Sequence, residues 1–520
     1  MLAMLREIVF CTGLMLTAFA GGWPGVLRAA DGQLELRVID RDTGQPTVCR
    51  MHLKNAAGKP VKIPGALQHG DYVVITDKIV LRLPRGNYTF TMERGPESLI
   101  RSGHFTINRF ADDVETVDLK NFCNLADEGW YGGDLDAQRP VDDLPLLMAA
   151  EGLHVVALTS WQNDKTIWNK QNPLPKTPIA EHPNHRLIDL LGGRDERHGS
   201  ALGLFNLRQP LTLPRSADLW PTLAQTAATA HAERGWVDGA RLFSRELPLL
   251  VAAGKLDSAQ LLNRHLLRGG IVDHEADGYA RDKKFYPAPF GNGRWSQHIY
   301  YQLLECGLRL PLTAGSGSGA NTNPLGYNRV YAQVEGELTL EKWWAAVRAG
   351  RVMVTNGPLL RCTVEGKYPG HTFTASKGET LELLPELTLS TRDKIDYIEV
   401  VHNGVVVNEL RLAEYQKSGG KVPPLTFTES GWFLLRAVTN EKSTYRHATT
   451  GPFFVEFDYQ KRFNPAAARF FIDWVDREIA AIRAEEPAGI EQPARLAQWE
   501  QARVYWQKLG KRGGGDSVVE

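Results

Sequence analysis

The stretch EGWYGGDLDAQR at residues 128–139, with the two segments that follow it, decides which fold the sequence predicts. Apolar side chains at residues 145–152 recur at helical spacing and indicate a short helix. That helix runs directly into an apolar segment at residues 154–158, which has the length and composition of a buried strand. The order is therefore a glycine-rich and acidic segment, a helix and a buried strand.

The same alternation of helices and short apolar runs continues further along the chain. Helical patterns cover residues 222–235 and residues 257–267, and the second is followed by another apolar run. Alternation of this kind is typical of an α/β domain with a parallel sheet. We therefore predict such a domain over residues 121–355, which is long enough to form a (β/α) barrel.

The regions on either side of this segment have the pattern of β-sandwiches. Short alternating strands separated by turn-forming residues occupy residues 31–120, as in prealbumin-like or carboxypeptidase-regulatory-like modules. The pattern returns at residues 356–458, where Asn403-Gly404 is a hairpin signal between two strands. Residues 459–520 repeat apolar side chains at helical spacing and predict a helical tail.

The N-terminus has the features of a secretory signal. Arg6 precedes an apolar run at residues 8–19, and small residues stand at the cleavage spacing in Ala18-Phe19-Ala20. The run is too short to span a bilayer, and the alternative is a buried N-terminal helix. We predict a signal peptide region at residues 1–30 and a secreted or periplasmic protein with no later transmembrane segment.

Composition narrows the choice of partners. Sixty basic residues balance sixty acidic ones, so no global field favours nucleic acid, and we predict no nucleic-acid partner. Signal cleavage would leave four cysteines, which form no C-x-x-C pair and do not indicate a thiolate zinc site. They can form disulfides in three full pairings or stay as buried thiols: Cys49, Cys123, Cys306 and Cys362.

Several motifs carry a resemblance to a known family. Three segments carry it: G-D-L-D-A-Q at residues 133–138, A-G-S-G-S-G at residues 314–319 and A-G-R-V-M-V-T-N-G-P at residues 349–358. With these motifs the sequence resembles the CehA/McbA (carbaryl-hydrolase-like) branch of the PHP, or polymerase-and-histidinol-phosphatase, metallohydrolases over roughly residues 122–360. The resemblance implies a distorted PHP-like (β/α) barrel, and hence a multi-domain α/β plus β protein. It also implies a divalent zinc, manganese or iron centre that activates water.

The chain departs from the motifs of that family at the expected metal ligands. Asp136 and Gln138 stand where the first two histidines of the family stand, and Ser160 and Trp161 replace a following aspartate and histidine. Gly317 occupies the place of a later aspartate. Tryptophan and glycine side chains offer no donor to a metal ion.

Other acidic and imidazole groups remain in this region as candidate ligands. We predict that His198 and Glu275 are catalytic, and that Arg139, Trp161 and Arg329 bind substrate, because forked donors and aromatic rings suit a polar ring ligand. The predicted metal ligands are Asp134, Asp136, His198, Glu246, His265 and Glu275.

Two hypotheses of function follow from these residues. The first is an exported metal-dependent hydrolase that cleaves an ester, carbamate or phosphoester. The second is a catalytically inactive relative of such an enzyme that holds no metal ion and binds a small-molecule or carbohydrate ligand at a surface or in the periplasm. The resemblance favours the first hypothesis, and the replaced ligands favour the second.

Overall fold

The computed structural model describes residues 32–485 and 489–512. Of the described residues, 38% lie in strands and 21% in helices, so the fold is mostly β. The predicted signal region at residues 1–30 lies outside the described residues. Within the described part, no helix is both long enough and apolar enough to cross a membrane.

The N-terminal region is built from two facing sheets. Its strands are β1 (Gly32–Asp40), β2 (Cys49–Asn55), β3 (Gln68–His69), β4 (Tyr72–Ile75), β5 (Lys78–Leu83), β6 (Gly86–Glu93), β7 (Arg101–Ile107) and β8 (Asp112–Leu119). One sheet has the order β5-β1-β8 and the other β3-β4-β2-β6-β7. Leu36 and Val38 of the first sheet share a core with Met51 and Met92 of the second, because alternate side chains of each strand point inward.

The central region contains strands and helices in mixed order. Its strands are β9 (Trp130–Ala137), β10 (Val155–Gln162), β11 (Lys165–Thr166), β12 (Ile179–His182), β13 (Arg186–Arg197), β14 (Ser200–Phe205), β15 (Trp236–Gly239), β16 (Ser258–Leu262), β17 (Leu266–Leu267), β18 (Gly270–Ile271), β19 (Leu312–Ala314), β20 (Arg329–Gln333) and β21 (Val352–Thr355). Its helices are α1 (Leu144–Glu151), α2 (Leu223–Ala232), α3 (Leu247–Ala252), α4 (Gly291–Glu305) and α5 (Leu340–Arg348).

Four local predictions in this region can be compared with these bounds. The predicted helix at residues 145–152 and the strand after it are confirmed as α1 and β10, and the helix at residues 222–235 as α2. The predicted helix at residues 257–267 is wrong, because its first half forms strand β16, which is buried along its whole length. A short buried apolar run has no periodicity that separates a helix from a strand.

The C-terminal region returns to strands and ends in two long helices. The strands are β22 (Leu359–Val364), β23 (Thr372–Ala375), β24 (Leu381–Leu383), β25 (Pro385–Ser390), β26 (Ile395–His402), β27 (Val405–Leu410), β28 (Leu425–Phe427), β29 (Gly431–Thr439), β30 (His447–Thr450) and β31 (Phe453–Phe457). The helices are α6 (Leu412–Lys417), α7 (Pro465–Arg483) and α8 (Gln492–Arg512). Asn403 and Gly404 have φ angles of 49° and 81° and form the predicted hairpin between β26 and β27.

The predicted fold class is wrong. The central strands do not form a PHP-like (β/α) barrel between two separate β-sandwiches, but belong to a mixed sheet that continues into the C-terminal strands. The pairs β9–β10, β10–β13, β15–β16 and β16–β19 are parallel, whereas β13–β14, β14–β15, β9–β20 and β20–β21 are antiparallel. Strand β21 then pairs with β30, with Met353 opposite Thr450, so a central strand and a C-terminal strand are neighbours in one sheet.

A tight turn explains part of this difference. Strand β13 is followed by β14 through His198 and Gly199, which have φ angles of 43° and 77°, and no crossover helix intervenes. A Cβ atom on Gly199 would lie 2.2 Å from the carbonyl oxygen of Asp277, so glycine is required for this close approach. A two-residue turn can join only antiparallel strands, which excludes a βαβ unit at this point.

The two C-terminal helices pack on the central region. The ring of Trp474 in α7 stacks on Tyr279 with 3.9 Å between centroids. Phe471 stacks on Trp506 of α8 at 4.4 Å, and the indole N–H of Trp506 donates to the carbonyl oxygen of Pro248 at 3.0 Å. These residues belong to the same apolar core as the central strands.

The cysteines of the described residues are free thiols. Cys49, Cys306 and Cys362 are buried and Cys123 is half-buried. Burial raises the pKa of the Cys49 and Cys306 thiols to about 12, so neither is a ready nucleophile. Of the alternatives for the cysteines, the structure has the free thiols.

Candidate ligand cleft and the charged cluster beside it

The site lies where strands β9, β10 and β19 end side by side. Parallel pairing of β9 with β10 places Gln138 and Arg139 next to Ser160 and Trp161. The loop after β19 joins the same edge, since the Gln138 N–H donates to the carbonyl oxygen of Ser318 at 2.7 Å. The carboxyl ends of neighbouring parallel strands share one edge of a sheet, which is the common place for a ligand in α/β sheets.

Asp136, the last acidic residue of β9, is enclosed by arginines. Its carboxylate is buried, and it accepts two hydrogen bonds from Arg264, each 3.0 Å long, from Nε and Nη2. Arg194 Nη1 lies 3.4 Å from the same carboxylate. A guanidinium that grips both carboxylate oxygens is among the strongest ion pairs that proteins form.

Glu196 of β13 completes this arrangement. It accepts from Arg194 Nε at 2.7 Å and Arg264 Nη1 at 3.2 Å, and it contacts Arg241 Nη2 at 3.0 Å. Burial alone would raise the pKa of Glu196, but the three guanidinium groups outweigh it and hold that pKa well below its usual range. Burial lowers the pKa of Arg241 to about 10. We name these residues the charged cluster: Asp136, Arg194, Glu196, Arg241 and Arg264.

The charged cluster does not fit a divalent metal ion. Arg264 and Arg194 already neutralise the carboxylate of Asp136, and three positive groups within one small volume repel a further cation. In the part of the chain that the structure describes, no three His, Cys, Asp or Glu side chains are grouped in a way that could hold a metal. The carboxylates of the charged cluster are therefore occupied by guanidinium partners and are not free to bind a cation.

Asp134, the first acidic residue of β9, has a structural role. It is fully buried and accepts hydrogen bonds from the backbone N–H groups of Ser316 at 2.9 Å, Gly326 at 2.7 Å and Asp136 at 3.0 Å. Burial raises its pKa to about 6 in spite of these bonds. The hydrogen bonds from the Ser316 and Gly326 N–H groups to Asp134 join β9 to the loop after β19.

Two other predicted ligands, Glu246 and His198, line one small pocket and are not part of the charged cluster. Glu246 is half-buried at the start of α3 and accepts from the Leu223 N–H at 2.8 Å, and loss of solvation raises its pKa to about 7. His198 lies exposed on the turn between β13 and β14, where its ring nitrogen Nε2 is 3.0 Å from the carbonyl oxygen of Ala217.

The remaining two predicted ligands are close to one another but have their own partners. His265 is buried, with Nδ1 3.2 Å from the carbonyl oxygen of Val272, and burial lowers its pKa to about 3. Glu275 forms an ion pair with Arg281 and accepts from the amide of Asn292 at 3.3 Å. Of the six predicted ligands, only the neighbours Asp134 and Asp136 are joined by a hydrogen bond among the contacts of the described residues.

Two of the three residues predicted to bind substrate line one cleft. Arg139 and Trp161 belong to a depression of about 1150 Å³ that also includes Gln138, Thr159, Ser160 and Trp168. Trp161 itself is buried, and its indole N–H donates to the carbonyl oxygen of Leu191 at 2.8 Å. We call this depression the ligand cleft. The third residue, Arg329, lies outside the ligand cleft and donates to the carbonyl oxygens of Gly326 at 2.6 Å and Glu151 at 3.0 Å.

The wall of the ligand cleft is held in place by polar contacts. Arg139 Nε donates to Ser318 Oγ at 3.0 Å, and Arg139 Nη1 lies 2.6 Å from His69 Nδ1 in the N-terminal region. Burial and the charge of Arg139 lower the pKa of His69 to about 4, so His69 accepts this bond as a neutral ring. The indole N–H of Trp168 donates to Ser160 Oγ at 3.0 Å.

Two polar atoms in this wall have no hydrogen-bond partner among the described residues. They are the side-chain amide nitrogen of Gln138 and the Nη2 atom of Arg139. Buried donors in folded proteins nearly always have a partner, in protein or in a bound molecule. A ligand with acceptor oxygens at this wall would supply the missing hydrogen-bond partners of these two donors.

The arginines of the charged cluster are not among the residues predicted from the sequence. Arg194 and Glu196 are two positions apart in a strand, so their side chains point to one face, and this spacing is visible in the sequence. Arg264 stands beside His265, a predicted ligand, yet lies 128 positions from Asp136, and no local pattern links the two. The tertiary fold alone brings that pair together.

Comparisons with known proteins do not place this chain in a family. No protein-family model matches it, and no curated protein matches it either. Among solved structures, fibronectin(III)-like modules of Clostridium thermocellum CbhA match with 14% identity over 19% of this chain and 98% of that chain, with a TM-score of 0.13. A Parabacteroides merdae β-glucuronidase matches with 10% identity over 79% of this chain and 60% of that chain, with a TM-score of 0.17. At such TM-scores neither likeness bears on fold or function.

Proposed function

We propose that this chain is a binding protein that holds a neutral oligosaccharide in the ligand cleft, and that no metal-dependent reaction takes place there. The observation that carries this proposal is the half-buried ring of Trp168, fixed in the cleft by its hydrogen bond to Ser160. A fixed aromatic ring with one open face stacks on the apolar face of a sugar ring at little entropic cost. The predicted signal would place this activity outside the cytoplasm.

The other side chains of the ligand cleft support a neutral, hydroxyl-rich ligand. Two acidic residues, Asp142 and Asp164, are balanced by two basic ones, Arg139 and Lys165, so the cleft favours neither an anion nor a cation. Amide and hydroxyl groups lie between the charges: Gln138, Thr159, Ser160, Gln162, Thr166 and Asn172. Such groups both donate and accept, as sugar hydroxyls do.

The charged cluster supports binding over hydrolysis. A metal-dependent hydrolase needs carboxylates that are free to bind a cation, and in this chain Asp136 is held by Arg264 and Arg194. The likeness to the CehA/McbA branch stays a prediction from sequence motifs. Its two expected histidine positions, Asp136 and Gln138, are here a partner of arginines and a part of the cleft wall.

The test is isothermal titration calorimetry of the full chain with a panel of neutral oligosaccharides and their uronic acid counterparts. We expect at least one neutral oligosaccharide to bind, and Trp168→Ala to weaken its binding by about tenfold, the upper end of the value of one aromatic stacking contact. Trp220→Ala is the matched control, because Trp220 is also half-buried and lies outside the cleft.

Two results would contradict the proposal. The first is the absence of binding by every neutral oligosaccharide in the panel, or equal weakening by Trp168→Ala and Trp220→Ala. The second is a rise in melting temperature when zinc or manganese is added to chelator-treated protein, since a metal that binds the folded state must stabilise it. The second result would favour the hydrolase hypothesis.

A further inference from the structure

A second cavity, away from the ligand cleft, lies where the N-terminal, central and C-terminal regions meet. Its volume is about 70 Å³, far smaller than that of the ligand cleft. Five arginines line it: Arg50, Arg268, Arg329, Arg392 and Arg446. Three carboxylates line it with them: Glu93, Glu151 and Asp393. We call this cavity the junction pocket.

The charges of the junction pocket do not balance. Five guanidinium groups face three carboxylates, which leaves a surplus of two positive charges at a partly buried place. Arg329 and Arg50 are the most deeply placed, with 3% and 4% of their side chains exposed, and Arg268 is the most accessible, with 34%. Positive charge removed from water is costly unless an anion compensates it.

One carboxylate is shared by three of these arginines. Glu93 accepts from Arg50 Nη2 at 2.9 Å, from Arg392 Nη2 at 3.1 Å and from Arg268. Burial would raise the pKa of Glu93, but these three charges outweigh it and hold that pKa far below its usual range. Glu93 is therefore ionised at any working pH and still cannot neutralise three partners.

Donor atoms of the junction pocket remain unused. Among the described residues, the Nε atoms of Arg50 and Arg446 are buried without a hydrogen-bond partner. Arg50 is more than nine-tenths buried, so water cannot readily serve its free donor. Arg446 donates from Nη1 to Asp393 at 2.9 Å, and its guanidinium lies 5.9 Å from the centroid of the Tyr327 ring. Buried guanidinium donors without partners indicate a missing acceptor.

One sequence motif that the ligand cleft does not use reaches this place. The wall of the junction pocket includes Thr355, Asn356 and Gly357 of the segment at residues 349–358. A Cβ atom on Gly357 would lie 2.6 Å from both the Cδ of Arg446 and a carboxylate oxygen of Asp393, so glycine is needed for that arginine to reach the pocket.

We propose that the junction pocket binds a small oxyanion of the size of phosphate or sulfate, which holds the three regions of the chain together. Forked guanidinium donors match tetrahedral oxyanions in geometry as well as in charge. The accessible side chain of Arg268 and the exposed Ile100 stand at the rim, so an anion from solvent reaches the site.

The test is a melting series of the full chain in sodium phosphate, sodium sulfate and sodium chloride at matched ionic strength. We expect phosphate and sulfate to raise the melting temperature in a saturable way, and chloride to leave it unchanged. Mass action sets the dependence on concentration, because the anion binds the folded state alone.

Variants locate the binding. Arg446→Gln and Arg268→Gln should each raise the apparent dissociation constant for phosphate by about tenfold or more, because each removes a charge-assisted hydrogen bond. Arg309→Gln is the matched control, since Arg309 pairs with Glu456 at a similar exposure but lies outside the pocket. Two test positions keep the experiment decisive if one variant fails to fold.

Each outcome decides the matter. Stabilisation by phosphate and sulfate that both pocket variants weaken and the control retains supports an oxyanion site here. Equal effects of the three sodium salts overturn the proposal, as does phosphate stabilisation that the pocket variants leave unchanged. Oligosaccharide binding in the ligand cleft is measured separately and does not depend on this result.

Discussion

The charged cluster and the junction pocket are made of the same residue types, but the cluster is filled by its own side chains and the pocket keeps a cavity. Each surrounds a central glutamate with three arginines, Glu196 in the cluster and Glu93 in the pocket. In the cluster a second carboxylate, Asp136, fills the centre, and Asp238 is close enough to act on the charge of Arg194. In the pocket the arginines outnumber the carboxylates, and a cavity remains.

Residue composition alone therefore does not distinguish a structural ion network from a binding site. The three arginines of the charged cluster are paired with its two carboxylates and with the charge of Asp238 beside it, and they close into packed structure. In the junction pocket five arginines face three carboxylates, so the unmatched charge is left facing a space. The surplus of charge and the space together indicate a ligand, and neither does so by itself.

The largest expected effect comes from breaking the balance of the charged cluster. Arg264→Met removes the two-pronged partner of Asp136 and leaves a buried carboxylate with too little compensation. We expect the free energy of unfolding to fall by about 3–5 kcal/mol, measured by urea denaturation at neutral pH. Arg309→Met breaks a more exposed ion pair and should cost about 1 kcal/mol or less. A loss below about 1 kcal/mol for Arg264→Met would mean that the cluster is not a closed network.

Glu246 is a half-buried carboxyl that accepts from the backbone, and its contribution to stability should depend on pH in the opposite way to that of the carboxylates of the charged cluster. Burial raises the pKa of Glu246 to about 7 from its usual 4.5, so the folded state binds its proton more tightly than the unfolded state. Its contribution is complete below pH 4.5 and is lost as the pH rises to about 7, which removes about 3 kcal/mol of stability.

Glu246→Gln keeps an oxygen acceptor for the Leu223 N–H and has no proton to lose. We expect the wild type to lose about 3 kcal/mol more than this variant between pH 4.5 and pH 8, by urea denaturation at each pH. Parallel pH profiles of the two proteins would show that Glu246 ionises normally. Glu196 is the contrast, since its lowered pKa makes its own contribution present above its usual range and lost only in acid.

The smallest expected effect comes from removing an unmatched charge. Arg446→Gln lowers the positive surplus of the junction pocket, and we expect it to change the free energy of unfolding by less than about 1 kcal/mol in chloride buffer. The breaking of its bond to Asp393 and the relief of repulsion among the arginines act in opposite directions. A loss of about 3 kcal/mol or more in chloride would erase the distinction between pocket and cluster.

Local elements were predictable where a single periodicity governs them. Helix α1 and strand β10 follow from apolar spacing, and the hairpin at Asn403-Gly404 follows from the backbone freedom of those residues. The strand at Ser258–Leu262 was predicted as a helix because a buried apolar run carries no such periodicity. The barrel prediction failed for a related reason, since strand direction depends on partners far along the chain.

Apolar spacing alone predicts that Gln138 and Arg139 follow one strand and that Ser160 and Trp161 lie near the end of the next, because a short helix links the two strands in parallel. That linkage is local and suffices to build one wall of the ligand cleft. The contact of Arg264 with Asp136 depends on the tertiary fold. The same holds for the meeting of arginines from all three regions in the junction pocket. Ion pairs between residues so distant in sequence form after the sheet has assembled, and no local pattern records them.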